Sequence, residues 1–267
     1  MLELIVLTPS IQHLQPHFNQ IENTTQTICA KGISDIFDYC TSNNISPTSI
    51  VLLSNDTVML EKALDNNICS IGYFDYNTPP FSLPYIISST DGLSINYFNR
   101  ILTRFHNRPF VISSFNGFTV RECIDDDFDE LYSMYSQEED TSFVCSLYMK
   151  EDYNLEKEKF TRYIDFQYKF FDYGLYVIIS PDNIICGQCG LYNDDEGRLC
   201  ISYYIKSDYR RHHLAYECCN KIIEYAFNEL DSNSIYAHIE DNNHPSKNLV
   251  YKLGFKHTDS DTYILSK

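Results

Sequence analysis

Tryptophan is absent from this chain of 267 residues, and only 4 methionines, 9 glycines and 9 prolines occur in it. Aromatic bulk comes instead from 22 tyrosines and 17 phenylalanines, whose ordinary use is core packing. Positive charge is also scarce: 20 lysines and arginines stand against 37 acids, a formal net charge of -17. A phosphate-neutralising face needs clustered cations, so the balance argues against a general nucleic-acid binder and an acidic membrane partner. The acidity would steer a cationic substrate favourably, although it also simply keeps a protein in solution.

Long hydrophobic runs are missing as well. No stretch approaches the roughly 18 apolar residues of a membrane-spanning helix. The N-terminal segment MLELIVLTPS has a very short apolar run and an early acid, Glu3, so it does not resemble a signal peptide. We therefore predict a cytoplasmic protein without a membrane partner. The ten cysteines lie mostly in apolar patterns, which predicts free thiols rather than a disulfide framework.

Residues 1 to about 110 alternate short apolar strands with helix-like segments. ELIVL, SIVLLS and ICSIGYF are typical of strands, whereas ISDIFDYCTSNN and DTVMLEKALDNN carry apolar residues at helical spacing. This alternation predicts a doubly wound α/β domain with a parallel sheet. The pattern breaks in RFHNRPFVISSFNGF, which places the boundary between a domain of residues 1–112 and a second of residues 113–267.

The second half carries strand patterns interrupted by four helical segments. The predicted strands are FTVREC, GLYVIIS, IICGQCGLYN, RLCISYYI, SIYAHIE and TYILS. The predicted helices are DDDFDELYSMYSQ, EKEKFTRYIDFQYKFF, a long helix through LAYECCNKIIEYAFNEL, and PSKNLVYKLG. The long helix has an apolar stripe of Leu214, Cys218, Ile222, Ala226 and Leu230.

The densest cationic cluster of this acidic chain is Arg210 to His213, within YRRHHLA at the junction of a strand and the long helix. The first turn of a helix presents backbone N–H groups without intrahelical partners, and the helix dipole favours an anion there. With Lys206 close in sequence, the junction suits a pyrophosphate. An acidic protein that binds a polyanionic cofactor needs such a local exception.

Three segments carry a family resemblance in their order: FTVRECIDDDFDELY, YYIKSDYRRHHLAYE and NHPSKNLVYKLGF. In this order they resemble the GNAT superfamily of N-acetyltransferases, nearest the branch that acetylates ribosomal-protein N-termini. The segments match its opening strand and helix, its pyrophosphate loop, and its last helix with the following strand. The resemblance covers about residues 117 to 267. It implies a GNAT-like mixed sheet flanked by helices, acetyl-CoA as cosubstrate, and acetyl transfer to a primary amine of a small molecule, peptide or protein.

The resemblance also implies which residues hold acetyl-CoA. The backbone of Tyr203 to Ile205 would pair with the pantetheine arm where two strands splay apart, and the amides of Arg211 to Tyr216 would hold the pyrophosphate. Asn243 would contact the cosubstrate near its thioester. The full implied set is Tyr203, Tyr204, Ile205, Arg210, Arg211, His212, His213, Leu214, Ala215, Tyr216, Asn243 and Ser246.

Three positions depart from the family pattern. His213 stands where the family usually has glycine, which lets the backbone approach a phosphate closely. Val250 stands where many members carry a catalytic tyrosine, and Tyr251 lies one residue, or about 100°, further around the helix. Cys200 stands where a glutamate often occurs. These departures leave a second hypothesis open, a non-catalytic acyl-CoA-binding regulatory or scaffold protein.

The general base is a separate question. In SIYAHIE, strand alternation places Tyr236, His238 and Glu240 on one face. His238 occupies the position of a glutamate base in some relatives, and imidazole titrates near neutrality. A partly buried histidine satisfied by a neighbour is the plainer alternative. Glu240 is the second candidate, and proximity alone can supply much of the rate.

The spacing of CGQC, Cys186 to Cys189, would suit zinc or redox chemistry. The two cysteines lie three residues apart within a strand pattern, so a regular strand would point them to opposite faces. We therefore predict no metal site, even with Cys218, Cys219, His212 and His213 elsewhere in the same half.

Residues 31 to 73 resemble the later part of haloacid-dehalogenase-like (HAD) phosphatases, with Lys31 matching their lysine. The loop after the strand reads Ser54, Asn55, Asp56, with Met59 at the second acid position. No acid occurs between Glu3 and Glu22 to serve as nucleophile or magnesium ligand. The resemblance thus implies a degenerate HAD-like domain, or else a generic doubly wound one. Scaffolding, homodimerisation and shaping of the acceptor site all remain open roles.

Overall fold

The computed structural model describes residues 1–19, 25–74, 83–137 and 152–267. Within them the chain divides into two compact units, residues 1–108 and residues 109–267. None of the helices in these four stretches combines the length and the apolar character that crossing a bilayer requires.

The N-terminal unit is built on a five-stranded parallel sheet in the order β2-β1-β3-β4-β5. Its elements are, in chain order, β1 (Leu4–Leu7), α1 (Gln15–Phe18), β2 (Gln26–Cys29), α2 (Ile33–Asn43), β3 (Ile50–Ser54), α3 (Thr57–Asp65), β4 (Cys69–Tyr73), β5 (Ile86–Ile87) and α4 (Ile95–Phe105). The predicted strands β1, β3 and β4 and helices α2 and α3 are all present, whereas β2, β5, α1 and α4 were not predicted.

Alternate residues of β1 and β3 face two separate cores, and every residue of both strands is buried. Odd-numbered residues pack with Phe98 and Ile101 of α4. Even-numbered residues pack with Ile36 of α2 and Leu60 of α3. Continuous apolar runs such as LIVL and IVLLS are therefore needed, because a parallel sheet covered by helices has no solvent face. The unit is doubly wound, as its alternating pattern predicts.

The C-terminal unit holds an eight-stranded sheet in the order β12-β13-β11-β10-β9-β8-β7-β6. Its elements are β6 (Val111–Phe115), β7 (Phe118–Glu122), α5 (Phe128–Gln137), α6 (Tyr153–Phe171), β8 (Leu175–Ile179), β9 (Ile185–Asn193), β10 (Leu199–Ile205), α7 (Leu214–Asn228), β11 (Ser234–His238), α8 (His244–Lys252), β12 (Lys256–Asp259) and β13 (Thr262–Ser266). Strands β10 and β11 are parallel, and the other neighbours are antiparallel. The mixed sheet agrees with the predicted fold class.

Helices cover both faces of this sheet. Leu214, Cys218, Ile222 and Ala226 form the buried stripe of α7, as predicted, and Val250 of α8 joins the same core. Leu230 lies beyond the end of α7 and is only partly buried. On the opposite face the core includes side chains of α5 and α6, namely Phe128, Leu131, Met134 and Phe160.

Strand β6 lies in the segment that the sequence pattern left unassigned. It pairs with β7 through a two-residue turn, Asn116-Gly117, in which both residues have positive φ of 49° and 82°. This conformation matches the twist of a two-residue hairpin and is the one that Asn-Gly favours. A Cβ on Gly117 would also lie 3.0 Å from Pro181 Cγ. The Asn-Gly pair was the available signal for this hairpin.

Candidate active site

Strands β10 and β11 diverge in the middle of the eight-stranded sheet. Cys200 and Tyr236 are their one paired position. On its other side β10 pairs with β9 along its whole length, from Leu199–Asn193 to Ile205–Gly187. The described part of the chain therefore supplies no strand partner for residues 201–205 on the β11 side, and a groove opens between the two strands.

Gly187 holds β9 close to β10 at the open end of this groove. A Cβ at Gly187 would lie 2.5 Å from the carbonyl oxygen of Tyr204 and 2.9 Å from Cδ1 of Ile205. A side chain there would push β10 out of place, so the glycine fixes the strand that lines the groove.

The first turn of α7 lies directly after β10 and a short 3-10 turn, Ser207–Tyr209. Arg211 and His213 both adopt left-handed backbone conformations, with φ of 67° and 61°. Among the hydrogen bonds of the described residues, none is donated by the backbone N–H groups of residues 211–216. The turn can therefore offer these groups to an anion.

His213 is the N-cap residue of α7, and its left-handed conformation is the one that glycine adopts at low cost. Histidine is several-fold enriched among the non-glycine residues that tolerate this region. His213 therefore adopts a backbone conformation in which glycine would meet no steric cost. The imidazole is exposed.

The two arginines of the cluster have different surroundings. Arg210 donates from Nε to the carbonyl of Ile205 at 2.8 Å, and its guanidinium lies 5.5 Å from the ring centre of Tyr204. Its side chain therefore braces the end of β10. Arg211 is exposed, and no described contact engages its side chain. Lys206, which the sequence placed near the pyrophosphate, lies 3.4 Å from Glu130 Oε1 instead.

Tyr203 and Tyr204 point to opposite faces of β10. The Tyr204 ring packs 5.6 Å from that of Tyr135 on the α5 side. Tyr203 packs against the core on the α7 side, where its hydroxyl is buried and has no hydrogen-bond partner among the described residues. Burial raises the pKa of the Tyr203 hydroxyl, and the neighbouring Cys219 thiol acts in the same direction. Of this pair, only the backbone is available along the groove.

Asn243 is the N-cap residue of α8, and its Oδ1 accepts a hydrogen bond from the Ser246 amide at 3.2 Å. The side chain therefore caps the helix through its oxygen. Val250 is fully buried, and Tyr251 is 53% exposed with its ring against Tyr263. Tyr251 thus faces away from the core and does not replace the family's tyrosine.

His238 ends β11, and its ring is held from both sides. Nε2 lies 3.0 Å from Oδ2 of Asp194, and Nδ1 lies 3.3 Å from Oγ1 of Thr262. Asp261 Oδ1 is 3.8 Å from Nδ1. The histidine side chain is 24% exposed, so one edge of the ring reaches solvent. The alternation of β11 is as predicted, with Ile235 and Ala237 buried and the intervening side chains partly exposed.

Asp194, which sequence reasoning did not select, is the electrostatic centre of this cluster. Its Oδ1 accepts the backbone amides of Glu196 and Arg198, at 3.0 and 2.9 Å, and its Oδ2 accepts Arg198 Nε at 2.7 Å. Although burial acts to raise the pKa of Asp194, the hydrogen bonds from Arg198 and His238 hold it well below its usual range. Asp194 therefore stays an anion beside the histidine.

Cys200 lies beneath the same carboxylate, fully buried, with Sγ 3.6 Å from Asp194 Oδ2. Burial and the nearby carboxylate raise the pKa of this thiol to about 12. The hairpin turn before β10 thus places a carboxylate beside position 200. The turn sequence NDDEGR, with three acids, was the one available signal.

Glu240, the other predicted base, lies outside β11 and is exposed. It lines an open depression of about 580 Å³ together with Asp241, Asn242, Ser260 and Asp261. No described contact joins Glu240 to the Asp194–His238 pair. Three of these lining residues are acids. One of them, Asp261, is also the residue whose carboxylate lies 3.8 Å from Nδ1 of His238.

The prediction that Cys186 and Cys189 face opposite sides of the sheet is wrong. Between β8 and β9 the pairing moves from Ile178–Gly187 to Ile179–Ile185, so Cys186 is the extra residue of a β-bulge. The bulge turns Cys186 toward the core that also holds Cys189 and Cys218. Among the described residues, Cys186, Cys189, Cys218 and Cys219 do not form a cluster with the spacing of metal ligands. Within the described residues, the one cluster with metal-ligand spacing is Asp194, Cys200 and His238.

Comparison with known families agrees with this geometry. Residues 118–256, about half of the chain, match the family model described as "Acetyltransferase (GNAT) domain". The chain belongs to the GNAT acetyltransferase family.

Individual relatives are distant. The chain is 30% identical over 82 residues to "Uncharacterized N-acetyltransferase p20" of Bacillus licheniformis, a match that covers 30% of this chain and 46% of that protein. The matched stretch thus spans about half the length of that curated relative. A solved structure described as "Probable acetyltransferase" is 19% identical, with a TM-score of 0.52. This match covers 59% of this chain and 97% of that protein. The structure of a GNAT-family acetyltransferase from Bacillus anthracis is 14% identical, with a TM-score of 0.49. This match covers 59% of this chain and 98% of that protein.

Proposed function

We propose that this protein transfers an acetyl group from acetyl-CoA to a primary amine. The observation that carries the proposal is the opening between β10 and β11, which leads to the first turn of α7. There an unpaired strand edge is followed by a turn whose amides, in residues 211–216, have no described partner. A pantetheine arm carries amide groups that can pair with a strand edge, and a pyrophosphate fits a helix N-terminus.

The residues divide the work of binding as follows. The backbone of Tyr203 to Ile205 pairs with the pantetheine arm. The backbone of Arg211 to Tyr216 holds the pyrophosphate, with the exposed Arg211 side chain adding charge. Arg210 keeps the end of β10 in place rather than contacting phosphate, since it is bound to the Ile205 carbonyl. Asn243 and Ser246 form the start of α8 beside this groove.

The base is His238, oriented by Asp194. If Nε2–H donates to Asp194 Oδ2 at 3.0 Å, the lone pair lies on Nδ1, beside Thr262 Oγ1, on a side chain that is 24% exposed. Nδ1 then removes a proton from the ammonium acceptor. The neutral amine attacks the thioester carbonyl, the new N–C bond forms, and the C–S bond breaks with its electron pair on sulfur. The amine gives up its second proton, and the thiolate gains one, so the products are an amide and free CoA.

The acceptor is a primary amine of a small molecule or of a peptide or protein N-terminus, the latter being the chemistry of the branch that the sequence resembles. Glu240 serves as the second candidate base. Val250 is buried at the tyrosine position and carries no proton to donate, so water is the donor proposed for the departing thiolate.

Calorimetric titration tests the binding half of the proposal. Acetyl-CoA should bind with micromolar affinity, and S-acetyl-pantetheine, which lacks the pyrophosphate, should bind at least tenfold more weakly, about 1.4 kcal/mol. Equal affinity for both would remove the role given to α7. No binding of acetyl-CoA would refute the proposal as a whole.

The second candidate is a non-catalytic acyl-CoA-binding regulatory or scaffold protein, which the departures at Val250, Cys200 and His213 favour. A turnover assay distinguishes it from the enzyme. Free CoA would be followed with a thiol reagent across small amines, peptides and lysine analogues. Tight binding without turnover on any of them supports the regulatory module. Where turnover occurs, His238→Gln should lose far more activity than Glu240→Gln.

For the N-terminal unit we extend the proposal to a degenerate HAD-like domain without phosphatase activity. At the carboxyl ends of β1 and β3, Thr8 Oγ1 lies 3.0 Å from Ser54 Oγ, and Ser10 is hydrogen-bonded to Asn55. Asp56 caps α3 with its carboxylate. Hydroxyl and amide groups are poor substitutes for the carboxylates that hold magnesium. A generic phosphoester with magnesium should not be hydrolysed, and hydrolysis would contradict the assignment.

The remaining proposals concern the setting of the protein. All nine cysteines among the described residues carry free thiols, which supports a reducing compartment such as the cytoplasm. Light scattering of the purified protein distinguishes a monomer from the homodimer that remains open.

A further inference from the structure

Three side chains of different chemistry meet where the β9–β10 turn approaches the end of β11. A carboxylate oxygen of Asp194, Sγ of Cys200 and a ring nitrogen of His238 all lie within 4.8 Å of one another. The oxygen is 3.0 Å from the histidine nitrogen and 3.6 Å from the cysteine sulfur. Carboxylate, thiolate and imidazole together form a set that suits zinc and similar borderline cations.

The separations suit a tetrahedral centre. With bonds of about 2.0–2.3 Å to oxygen, nitrogen and sulfur, the ligand atoms of tetrahedral zinc lie roughly 3.4–3.6 Å apart. The Asp194–Cys200 distance is already 3.6 Å, and the Asp194–His238 distance needs a small increase from 3.0 Å. The third separation, between Cys200 Sγ and the His238 ring, is within 4.8 Å, so the three groups lie close enough to approach one ion.

The ligand atoms are also oriented in advance. Two backbone amides fix the Asp194 carboxylate by donating to Oδ1, which leaves Oδ2 facing the other two side chains. The far side of the His238 ring meets Thr262 Oγ1 and, at 3.8 Å, Asp261 Oδ1. Acceptors behind the second ring nitrogen are the usual support of a metal-ligating histidine, because they can accept the proton of the tautomer that a bound ion requires.

A cation that enters this site must reach the three side chains from solvent and must displace the Arg198 guanidinium. Cys200 is buried, but the side chains of Asp194 and His238 are 12% and 24% exposed, so an ion can enter from their side and keep a solvent-facing fourth position. Arg198 now occupies Oδ2 of Asp194 at 2.7 Å and would have to leave. It has an alternative partner in Glu196, whose carboxylate is 3.0 Å from its Nη1.

We propose that Asp194, Cys200 and His238 form a binding site for Zn²⁺ or a similar divalent cation, in competition with Arg198. Arg198 then acts as a gate, a cation that holds the carboxylate when no metal ion is bound. The cation site itself does not depend on acetyltransferase activity.

The consequence for catalysis does rest on the proposed function. In the metal-free site, Nε2–H faces Asp194 and Nδ1 carries the lone pair that accepts the proton of the amine. A cation bound to Nε2 requires the opposite tautomer, with the proton on Nδ1, directed at Thr262 or Asp261. Binding would therefore remove the base without blocking the acetyl-CoA groove, and Zn²⁺ would inhibit by lowering kcat.

The test uses the full chain and Co²⁺ as a spectroscopic probe, in the absence of acetyl-CoA. Binding should be 1:1, should produce the near-ultraviolet thiolate-to-cobalt absorption band of a cysteine ligand, and should be reversed by Zn²⁺. His238→Gln and Cys200→Ser should each weaken binding by about tenfold or more, since loss of even a supporting residue of a metal site typically costs that much. Cys29→Ser, a partly buried cysteine of the N-terminal unit, is the matched control and should bind as the parent does.

Arg198→Met tests the proposal through a gain of Co²⁺ affinity, which a misfolded variant would not show. It keeps an aliphatic stem over Tyr236, whose ring centre is 5.0 Å from the guanidinium, but removes the competing charge. We expect it to bind Co²⁺ more tightly than the parent. Absence of the thiolate band, its survival in Cys200→Ser, or unchanged or weaker binding by Arg198→Met would overturn the proposal. If the cation binds but no variant or parent acetylates any amine, the site stands and the proposed function fails.

Discussion

Nε2 of His238 lies 3.0 Å from Oδ2 of Asp194, although the two residues are 44 positions apart in the chain. Asp194 lies in the turn before β10 and contacts Cys200, which pairs with Tyr236 of β11, and His238 follows two residues later on the same face of that strand. The same oxygen accepts Arg198 Nε at 2.7 Å. The carboxylate therefore governs both the orientation of the imidazole and the charge around it.

Asp194→Asn should impair catalysis more than cosubstrate binding. An asparagine can donate to Nε2 and stabilise the tautomer that protonates Nδ1, so the base is lost from the edge that faces the acceptor. We expect kcat to fall by about tenfold or more, with KM for acetyl-CoA little changed. Steady-state kinetics on the acceptor found by screening would measure both constants.

The control for this variant is Asp195→Asn, which removes an equal charge from the next, exposed residue. It should keep near-parental kcat. An equal loss in both variants would mean that the general negative charge of the turn matters and that the Asp194–His238 contact does not.

His213→Gly should preserve or improve both stability and acetyl-CoA affinity. At φ of 61° a histidine carries steric cost that glycine does not, on the order of 1–2 kcal/mol, partly offset by the flexibility that glycine adds to the unfolded chain. The free energy of unfolding should therefore rise by up to about 1 kcal/mol, and Kd for acetyl-CoA should stay equal or fall. Urea unfolding and calorimetry would measure them.

His212→Gly provides the matched comparison, because His212 is not among the positive-φ residues. It makes the same chemical change without relieving a strained backbone, and it should cost up to about 1 kcal/mol of stability. Loss of acetyl-CoA binding in a folded His213→Gly would show that the imidazole itself contributes affinity.

Arg211→Ala and Arg210→Ala should separate binding from stability. Arg211 is exposed without a described side-chain contact, so its removal should weaken acetyl-CoA binding by about three- to tenfold and leave the melting temperature unchanged. Arg210 bonds the Ile205 carbonyl at 2.8 Å, so its removal should lower the melting temperature. Thermal melts beside calorimetry would decide. The reverse assignment of effects would contradict the roles given to the two side chains.

Alkaline pH should destabilise the C-terminal unit through its buried thiols. Burial raises the pKa of Cys123 and of Cys186 from 9.0 to about 12. Their contribution is intact below pH 9.0, where the thiols are protonated in both states. Between pH 9.0 and about 12 the unfolded chain ionises and the folded chain does not, so each thiol lowers the free energy of unfolding by up to about 1.4 kcal/mol per pH unit.

Urea unfolding followed by circular dichroism between about pH 8 and 10.5 would measure this slope, since the chain has no tryptophan. Cys123→Ala should give a shallower decline. Val120→Ala, which also leaves a cavity in the core but removes no titratable group, should shift the curve down in parallel. Parallel curves for both variants would show that Cys123 does not ionise on unfolding.

Local patterns predicted those parts of the fold that local patterns determine. The stripe of α7 from Leu214 to Ala226 and the alternation around Ala237 follow from helix and strand periods, and both are present. Strand β6 was missed because its residues are only partly buried and show no clean alternation, although Asn116-Gly117 marked the turn.

The candidate site could be predicted only where it follows the chain. The turn from β10 into α7 is continuous in sequence, so its amides and arginines could be assigned in advance. The partner of His238 could not, because Asp194 reaches it across the sheet and acidic turns are common. The bulge at Cys186 could not either, since one extra residue in a strand leaves no mark on composition and reverses the facing of a side chain.

The divergence of β10 from β11 after Cys200 leaves residues 201–205 with a strand partner on the β9 side alone, among the described residues. An unpaired edge flanked by ordered strands invites any extended chain to pair with it, including another copy in solution. Acetyl-CoA, by lying along residues 203–205, would occupy that edge and deny it to others. Bound acetyl-CoA would then protect the folded protein from association through this edge. The protein without acetyl-CoA should therefore aggregate more readily than its complex.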